Sequence, residues 1–282
     1  MHPDRIATLL GIALSSFLPG PLASCDAQPS SEPARPTSQP AGSAPTASAS
    51  APAAVTRWTR PRFNERRAER LRMVREQIAA SPDGRPPVRD ERVLEAMRQV
   101  PRHLFVRTGD QPRAYGDYPL PIDCDQTISQ PYIVALMTEA LRLPPGGKVL
   151  EIGTATGYQA AVLSELTPHV YTIELLKPLA DAAAERLRRL GYGTVRVRCG
   201  DGYFGWPEAA PFDGILVTCA AGHVPPALWE QLRPGGRMVI PLGESGFVQQ
   251  LTVLTKLPDG SRRTEVLTPC TFVPMTGRIQ RK

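Results

Sequence analysis

Three acidic residues stand where successive short apolar segments end, in a part of the chain that alternates between apolar segments and helical patterns. They are Glu151, Glu174 and Asp201. The carboxyl ends of neighbouring parallel strands meet at one edge of a sheet, so these side chains are expected to converge there. A carboxylate can accept hydrogen bonds from an ammonium group, from ribose hydroxyls or from an adenine amino group. The spacing therefore predicts a nucleoside-binding site.

A glycine-rich turn follows the first of these strands, in Glu151-Ile152-Gly153-Thr154-Ala155-Thr156-Gly157-Tyr158. Such a turn lets a ligand meet N–H groups at the start of a helix. The turn lacks the glycine spacing of a dinucleotide fingerprint and the lysine of a P-loop. An acid here suits a ligand with an ammonium group and no phosphate, as in the methionine part of S-adenosylmethionine. The candidate cofactor-binding residues are Glu151, Gly153, Thr154, Gly157, Glu174, Asp201 and Gly202.

The alternation of strands and helices predicts an α/β fold with a doubly wound parallel sheet covered on both faces. The predicted strands are 149–152, 170–173, 195–198, 214–217 and 237–240, and the helices between them are 158–166, 179–190 and 226–232. Residues 249–256 and 262–267 flank a Pro-Asp-Gly turn and predict antiparallel C-terminal strands. Upstream, apolar spacing predicts an N-terminal helical segment with helices at 64–80, after the cap Asp90 through Val100, and at 132–143.

Composition divides the chain into three parts: a lipoprotein-like signal segment at 1–25, a Pro/Ala/Ser-rich linker at 26–56 and a globular domain at 57–282. The linker lacks the bulky apolar residues that would offset the entropy of ordering it. The apolar run Ile6–Leu18 is too short to span a bilayer. Leu22-Ala23-Ser24-Cys25 is typical of a bacterial lipoprotein cleavage site. Two interpretations stay open, export with a lipid on Cys25 or a dispensable extension.

The formal charge of +6 comes from one short region, because residues 57–75 contain eight Arg and two Glu. The rest of the chain is near neutral, whereas a nucleic-acid enzyme spreads its basic residues along a face, so no nucleic-acid partner is expected. The five cysteines have neither CxxC spacing nor histidines at metal-ligand spacing. They predict unpaired thiols, no metal site and no disulfide framework.

Several longer motifs resemble one family, the protein-L-isoaspartate O-methyltransferases, over about residues 65–280. The motifs are Val100–Val106, Ala114–Asp117, Pro119–Ile122, Gln126-Thr127-Ile128-Ser129-Gln130-Pro131, Glu151–Tyr158, Gly200–Gly202, Ala210–Asp213, Gln231–Gly236 and Phe272-Val273-Pro274. The Thr-Ile-Ser-Gln-Pro segment is highly specific, whereas the glycine-rich loop is shared by many methyltransferases.

The resemblance implies a Rossmann-like class I methyltransferase fold, S-adenosylmethionine as cofactor and methyl esterification of the free carboxylate of L-isoaspartyl residues. Damaged proteins and peptides would be the substrates, and the reaction would initiate their repair. It also implies that Ser129 is the catalytic residue and that Thr127, Ile128 and Ser129 form the substrate pocket. A cytoplasmic monomer is expected. The alternatives are a methyltransferase acting on RNA or a small molecule, and a lipid-anchored binding protein without turnover.

The sequence departs from the family pattern at three places. Ala155 and the segment Asp123-Cys124-Asp125 stand where the family more often has glycine, and Thr218-Cys219-Ala220-Ala221-Gly222 replaces a usual Thr-Ala-Ala-Pro. None of these changes removes a residue with an assigned role. His103 and His223 are expected to be structural, because an ionised carboxylate needs no general base.

Overall fold

The structure is a computed structural model, and it describes residue 58 and residues 60–80, 84–244 and 246–280. The predicted signal segment at 1–25 and the predicted linker at 26–56 lie outside these residues. So do the predicted cleavage site and Cys25.

A seven-stranded sheet forms the centre of the domain, with the strand order β5-β4-β3-β6-β7-β8-β9. The strands are β3 (Val149–Ile152), β4 (Val170–Glu174), β5 (Arg196–Cys199), β6 (Phe212–Val217), β7 (Leu232–Leu242), β8 (Gln249–Lys256) and β9 (Arg262–Cys270). Strands β3 to β7 are mutually parallel, and β8 and β9 add to the β7 edge in antiparallel pairing. The chain order reverses beside β3, which is where an open parallel sheet binds its ligands.

Six α-helices and one short hairpin occur among the described residues. The helices are α1 (Arg67–Met73), α2 (Glu91–Gln99), α3 (Pro131–Ala140), α4 (Tyr158–Leu166), α5 (Lys177–Arg189) and α6 (Pro226–Gln231). Helix α1 continues directly into π-helical turns over Val74–Ala79. The hairpin pairs β1 (Leu120–Pro121) with β2 (Thr127–Ile128).

The central strands are largely apolar because both faces of the sheet are covered. Along β3, Val149 packs in one apolar cluster, whereas Leu150 and Ile152 pack in a second cluster on the other face. Neighbouring β6 divides in the same way, with Leu216 in the first cluster and Ile215 in the second. Successive side chains of a strand point to opposite faces, so an unbroken apolar run is what a doubly covered strand requires.

The predicted fold is confirmed, and the differences concern short or terminal elements. Helix α2 starts after Asp90, whose side chain accepts from the Arg92 N–H as the predicted cap. The first helix begins at Arg67 and not at Asn64, and β7 begins at Leu232, five residues before the predicted start. The β1–β2 hairpin was not predicted, since two-residue strands are too short to show an alternating pattern.

The cysteine prediction is wrong at one position. Cys199, Cys219 and Cys270 carry free thiols, but Cys124 takes part in a disulfide. Sequence spacing does not reveal which cysteines meet in space, so the linear pattern had no signal for this bond. Within the described part of the chain, no three potential ligand side chains gather as a metal site would require. Every described helix also falls short of the length and hydrophobicity needed for a membrane span.

The domain begins with an extended segment that is anchored on α4. The Trp58 indole N–H donates to the Ser164 carbonyl at 3.0 Å, and Arg62 pairs with the largely buried Glu165 carboxylate at 3.1 Å. These contacts join the start of the described chain to the helix that follows the glycine-rich turn. Among the described residues, these contacts begin just beyond the predicted boundary at 56.

Deleting residues 1–56 is expected to leave a folded domain, because the anchoring residues Trp58 and Arg62 are retained. The melting temperature should change by less than about 2–4 °C, the shift that about 1 kcal/mol produces in a domain of this size. Differential scanning calorimetry of both proteins in reducing buffer measures this, the reductant removing any effect of the Cys124 disulfide. A larger drop would show that the deleted segment packs on the domain.

Candidate active site

A cleft of about 850 Å³ opens at the carboxyl ends of β3, β4 and β6. Its lining comes from the β2 segment and α3, the turn after β3 with the start of α4, the end of β4, and the residues that follow β5, β6 and β9. The members are Gln126–Ser129, Val134, Glu151–Thr156, Tyr158, Gln159, Ile173–Leu176, Gly202, Thr218, Cys219 and Val273–Thr276.

The turn after β3 is held open by a glycine and a threonine from the neighbouring strand end. Gly153 has a φ of 99°, and a β-carbon there would lie 2.4 Å from the Thr218 hydroxyl oxygen. That hydroxyl donates to the Ile152 and Gly153 carbonyls at 2.9 and 2.8 Å. A side chain at position 153 would therefore displace Thr218 and distort the turn.

Glu151 is the most unusual residue of the cleft. Its side chain has no exposed area, and neither carboxylate oxygen has a hydrogen-bond partner among the described residues. Burial raises the pKa of Glu151 to about 8; the nearby Thr172 hydroxyl opposes this rise, and the Glu174 carboxylate adds to it. A buried carboxylate without a partner is costly, and a cationic group in the cleft would remove that cost. The ammonium group of S-adenosylmethionine fits this requirement.

Glu174 ends β4 and is positioned by backbone donors. Its Oε2 accepts from the Ala155 N–H at 2.8 Å and its Oε1 from the Leu176 N–H at 3.1 Å. Burial raises the pKa of Glu174, while these backbone hydrogen bonds oppose the rise. Each carboxylate oxygen can accept a further bond, so the side chain can still receive two hydroxyl donors from the cleft.

The Ser129 segment forms the opposite wall, and it is fixed from behind by Asp117. The Asp117 carboxylate accepts from the Gln130 amide at 2.8 Å and from the Tyr132 N–H at 2.9 Å, at the start of α3. Arg85 pairs with the same carboxylate at 2.8 Å. Ser129 itself is half-buried and lines the cleft. The residue before Pro131 is thereby held in a fixed place, with the Ser129 side chain on the cleft side.

Eight of the ten predicted site residues line this one cleft. They are Thr127, Ile128, Ser129, Glu151, Gly153, Thr154, Glu174 and Gly202. Gly157 and Asp201 do not. Gly157 precedes α4 with a φ of 86°, and a β-carbon there would lie 3.1 Å from Leu187. Asp201 accepts from the Tyr203 and Arg278 N–H groups at 2.9 and 2.7 Å. Neither His103 nor His223 reaches the cleft; His103 is bonded to the Tyr115 hydroxyl.

Several lining residues had no role in the sequence analysis. Thr218 directly follows β6, and Glu151 and Glu174 lie at the ends of β3 and β4, so a search of the strand ends could have found Thr218. Gln159 lies in the first turn of α4, where its amide donates to the Thr138 hydroxyl at 2.9 Å. Val273 belongs to the Phe272-Val273-Pro274 motif, and its carbonyl accepts from the N–H of Ala220, three residues after β6, at 2.8 Å.

Two of the three departures from the family pattern coincide with left-handed backbone. Ala155 has a φ of 49°, and Cys124 and Asp125 have φ values of 57° and 54°. This region favours glycine and is costly for a residue with a β-carbon. The turn geometry that the family more often builds with glycine is therefore kept here with larger residues.

The fold and the cleft define a class I methyltransferase, with a Rossmann-like sheet and a nucleoside-type site at the switch point beside β3. Two solved structures share this architecture. A protein-L-isoaspartate O-methyltransferase aligns with a TM-score of 0.66 and 29% identity, over 76% of this chain and 67% of that one. A Plasmodium falciparum protein described as a putative member, in complex with S-adenosyl-L-homocysteine, has the same fold at TM-score 0.62 and 22% identity, over 73% and 98% of the chains.

Sequence comparison identifies the family. Residues 83–280 match the family described as protein-L-isoaspartate(D-aspartate) O-methyltransferase. A relative from Syntrophobacter fumaroxidans, named protein-L-isoaspartate O-methyltransferase 2, is 57% identical over 67% of this chain and 76% of its own. A relative from Nitrosospira multiformis, named protein-L-isoaspartate O-methyltransferase 1, is 56% identical over 76% and 89%.

The chain belongs to the protein-L-isoaspartate(D-aspartate) O-methyltransferase family. It is an S-adenosylmethionine-dependent enzyme that methylates isoaspartyl residues in damaged proteins and so serves their repair, the reaction classified as EC 2.1.1.77. The predicted family, activity and cofactor are confirmed.

Replacing Ala155 by glycine is expected to stabilise the protein, because the left-handed conformation costs an L-residue about 1–2 kcal/mol. The greater freedom of glycine in the unfolded chain offsets part of this gain, which leaves a rise in melting temperature of about 2–4 °C. Calorimetry of Ala155→Gly measures it. The matched control is Ala184→Gly on the exposed face of α5, where the same change should lower the melting temperature. A fall in both variants would contradict the strain argument.

Replacing Glu151 by glutamine is expected to stabilise the cofactor-free protein in a pH-dependent way. The folded pKa of about 8 lies above the ordinary value for glutamate, so the wild-type protein loses stability as the pH rises between the two. The gain in melting temperature from Glu151→Gln should be small near about pH 5 and grow towards about pH 8. Melting curves across this range test it, with the exposed Glu230→Gln as control. A gain independent of pH would contradict the assignment.

Proposed function

We propose that one half of the cleft binds S-adenosylmethionine through Glu151, Glu174 and the backbone of Gly153 and Thr154. The partnerless Glu151 carboxylate supports this assignment most directly, since it lacks the cation that a methionine ammonium group would supply. Glu174, held by the Ala155 and Leu176 N–H groups, would accept from the ribose hydroxyls. Gly202 lines the adenine side of the same half.

Two predicted cofactor residues are proposed in supporting roles. Asp201 already accepts from the Tyr203 and Arg278 N–H groups, so its carboxylate would bind the adenine amino group through the remaining lone pairs. The Gly157 N–H already donates to the Thr154 carbonyl at 2.8 Å. Gly157 would therefore act indirectly. Its hydrogen bond to Thr154 shapes the turn that lines the cleft, and its lack of a side chain lets α4 approach α5.

The other half of the cleft is proposed to bind the isoaspartyl residue, with Thr127, Ile128 and Ser129 as its wall. Ile128 is buried and supplies apolar contact, while the threonine and serine carry hydroxyl donors. A hydroxyl on Ser129 would hold one oxygen of the substrate carboxylate and leave the other free to react. This hydrogen bond orients the nucleophile and requires no activated serine.

The chemistry needs positioning more than acid–base catalysis. The substrate carboxylate is ionised at neutral pH because its pKa is about 3.3–3.7. S-adenosylmethionine supplies an electrophilic methyl group on a sulfonium. A new carboxylate oxygen–methyl bond forms as the sulfur–methyl bond breaks, and the sulfur keeps the bonding electron pair. The residues of this chain hold the carboxylate oxygen in line and exclude water from the buried floor around Glu151.

We further propose that the enzyme acts as a cytoplasmic monomer on isoaspartyl polypeptides and not on nucleic acid. The near-neutral charge outside residues 57–75 supports the absence of a nucleic-acid partner. The need for S-adenosylmethionine favours the compartment where that cofactor is made. Cell fractionation with blotting tests the location. Recovery in the membrane fraction, lost on Cys25→Ala, would favour the lipid-anchored alternative.

Two substitutions should separate cofactor binding from turnover. Glu174→Ala removes a charged acceptor, which should weaken S-adenosylmethionine binding by about 1.5–3 kcal/mol. Ser129→Ala should leave that affinity nearly unchanged and lower kcat on an isoaspartyl peptide, because Ser129 contacts the other half of the cleft. Calorimetry and a methyl-transfer assay on both variants measure these effects. Both roles would be contradicted if Ser129→Ala weakened cofactor binding and Glu174→Ala lowered only kcat.

A further inference from the structure

The charged side chains of the cleft are all acidic. Among the described residues that line it, only Glu151 and Glu174 are charged, and no lysine, arginine or histidine takes part. Both acids are deeply buried, and Glu151 has no hydrogen-bond partner. The remaining polar groups are neutral hydroxyls and amides, from residues such as Thr127, Ser129 and Gln159.

This charge distribution conflicts with the substrate, because the reacting group is itself a carboxylate. A neutral hydroxyl such as that of Ser129 can donate one hydrogen bond but cannot balance a negative charge in a partly buried site. One basic side chain contacts the turn after β3 without itself lining the cleft: Arg186 donates to the Thr156 carbonyl at 2.9 Å.

We propose that Glu151 and Glu174 make binding of the isoaspartyl carboxylate depend on the positive charge of the cofactor. This inference rests on the proposed assignment of the two halves of the cleft. The sulfonium is the one cation beside the reacting carboxylate, so the cofactor acts as the substrate's counter-ion as well as its methyl donor. Methyl transfer removes both charges together, which gives a neutral sulfide and a neutral ester. The demethylated cofactor therefore leaves the cleft without a counter-ion for a new isoaspartyl carboxylate.

Direct binding measurements test this coupling without turnover. A fluorescent isoaspartyl peptide is titrated with the full-length protein saturated with one of two ligands. Sinefungin carries an ammonium group in place of the sulfonium and transfers no methyl group, whereas S-adenosyl-L-homocysteine has a neutral sulfide. Opposite charges a few ångströms apart near a protein surface attract strongly enough to change an affinity at least about tenfold. The peptide should therefore bind the sinefungin complex at least about tenfold more tightly.

A second peptide and a second variant isolate the charge effect. An isoasparagine peptide, which has a carboxamide in place of the α-carboxylate, should bind both complexes equally. Glu151→Gln removes one of the two acids and should strengthen binding of the isoaspartyl peptide to the S-adenosyl-L-homocysteine complex. The matched control is Glu230→Gln, an exposed glutamate on α6 outside the cleft, which should leave that affinity unchanged.

The possible failures are distinguishable. Equal affinity of the isoaspartyl peptide for the two complexes would overturn the charge coupling and leave the proposed substrate wall intact. If the isoasparagine peptide preferred the sinefungin complex as strongly as the isoaspartyl peptide does, the charge coupling would also be overturned. The preference would then come from the shape of the bound ligand and not from its charge. If an ordinary aspartyl peptide bound as well as the isoaspartyl peptide in every complex, the assignment of Thr127–Ser129 would itself be wrong.

Discussion

The cleft is organised around a carboxylate that the protein buries without satisfying. Glu151 lies near the end of β3, an inner strand between β4 and β6, and its side chain is fully buried. The unliganded protein bears the cost of this burial as a raised pKa. A cationic cofactor removes that cost, and the free energy released on pairing contributes to binding. The acid that is proposed to bind the cofactor is thus also a source of instability in the empty enzyme.

The two halves of the cleft are positioned by different means. In the half proposed to bind the cofactor, backbone N–H groups of Ala155 and Leu176 hold Glu174 at the end of β4. The half proposed to bind the substrate is a short hairpin and the first turn of α3, and it depends on the half-buried Asp117. Asp117 joins Gln130, Tyr132 and Arg85, and it keeps the Ser129 segment against the cofactor half without contacting the cleft.

In both halves of the cleft, residues that are not glycine adopt a backbone conformation that favours glycine. Ala155 in the cofactor turn and Asp125 in the hairpin adopt left-handed φ values that glycine would accept more easily. Local strain of this kind persists where surrounding contacts determine the conformation. Here those contacts are the bond from Ala155 to Glu174 and, beside Asp125, the bond between the Gln126 amide and the Cys124 carbonyl. These hydrogen bonds thus hold the two turns in their left-handed conformations.

The sequence by itself determined the parallel sheet, its antiparallel edge and the positions of Glu151 and Glu174. Apolar runs with period two or 3.6 are local signals, and an acid at a strand end has a predictable place at the sheet edge. Motif resemblance added Thr127, Ile128 and Ser129. Only the tertiary structure decided which groups share the cleft. It brought in Thr218, Gln159 and Val273, and it turned Asp201 towards Arg278, because hydrogen-bond partners distant in sequence leave no periodic trace. It also showed that the described lining of the cleft has two acids and no base. Several separate segments form this lining, so no single segment reveals its charge.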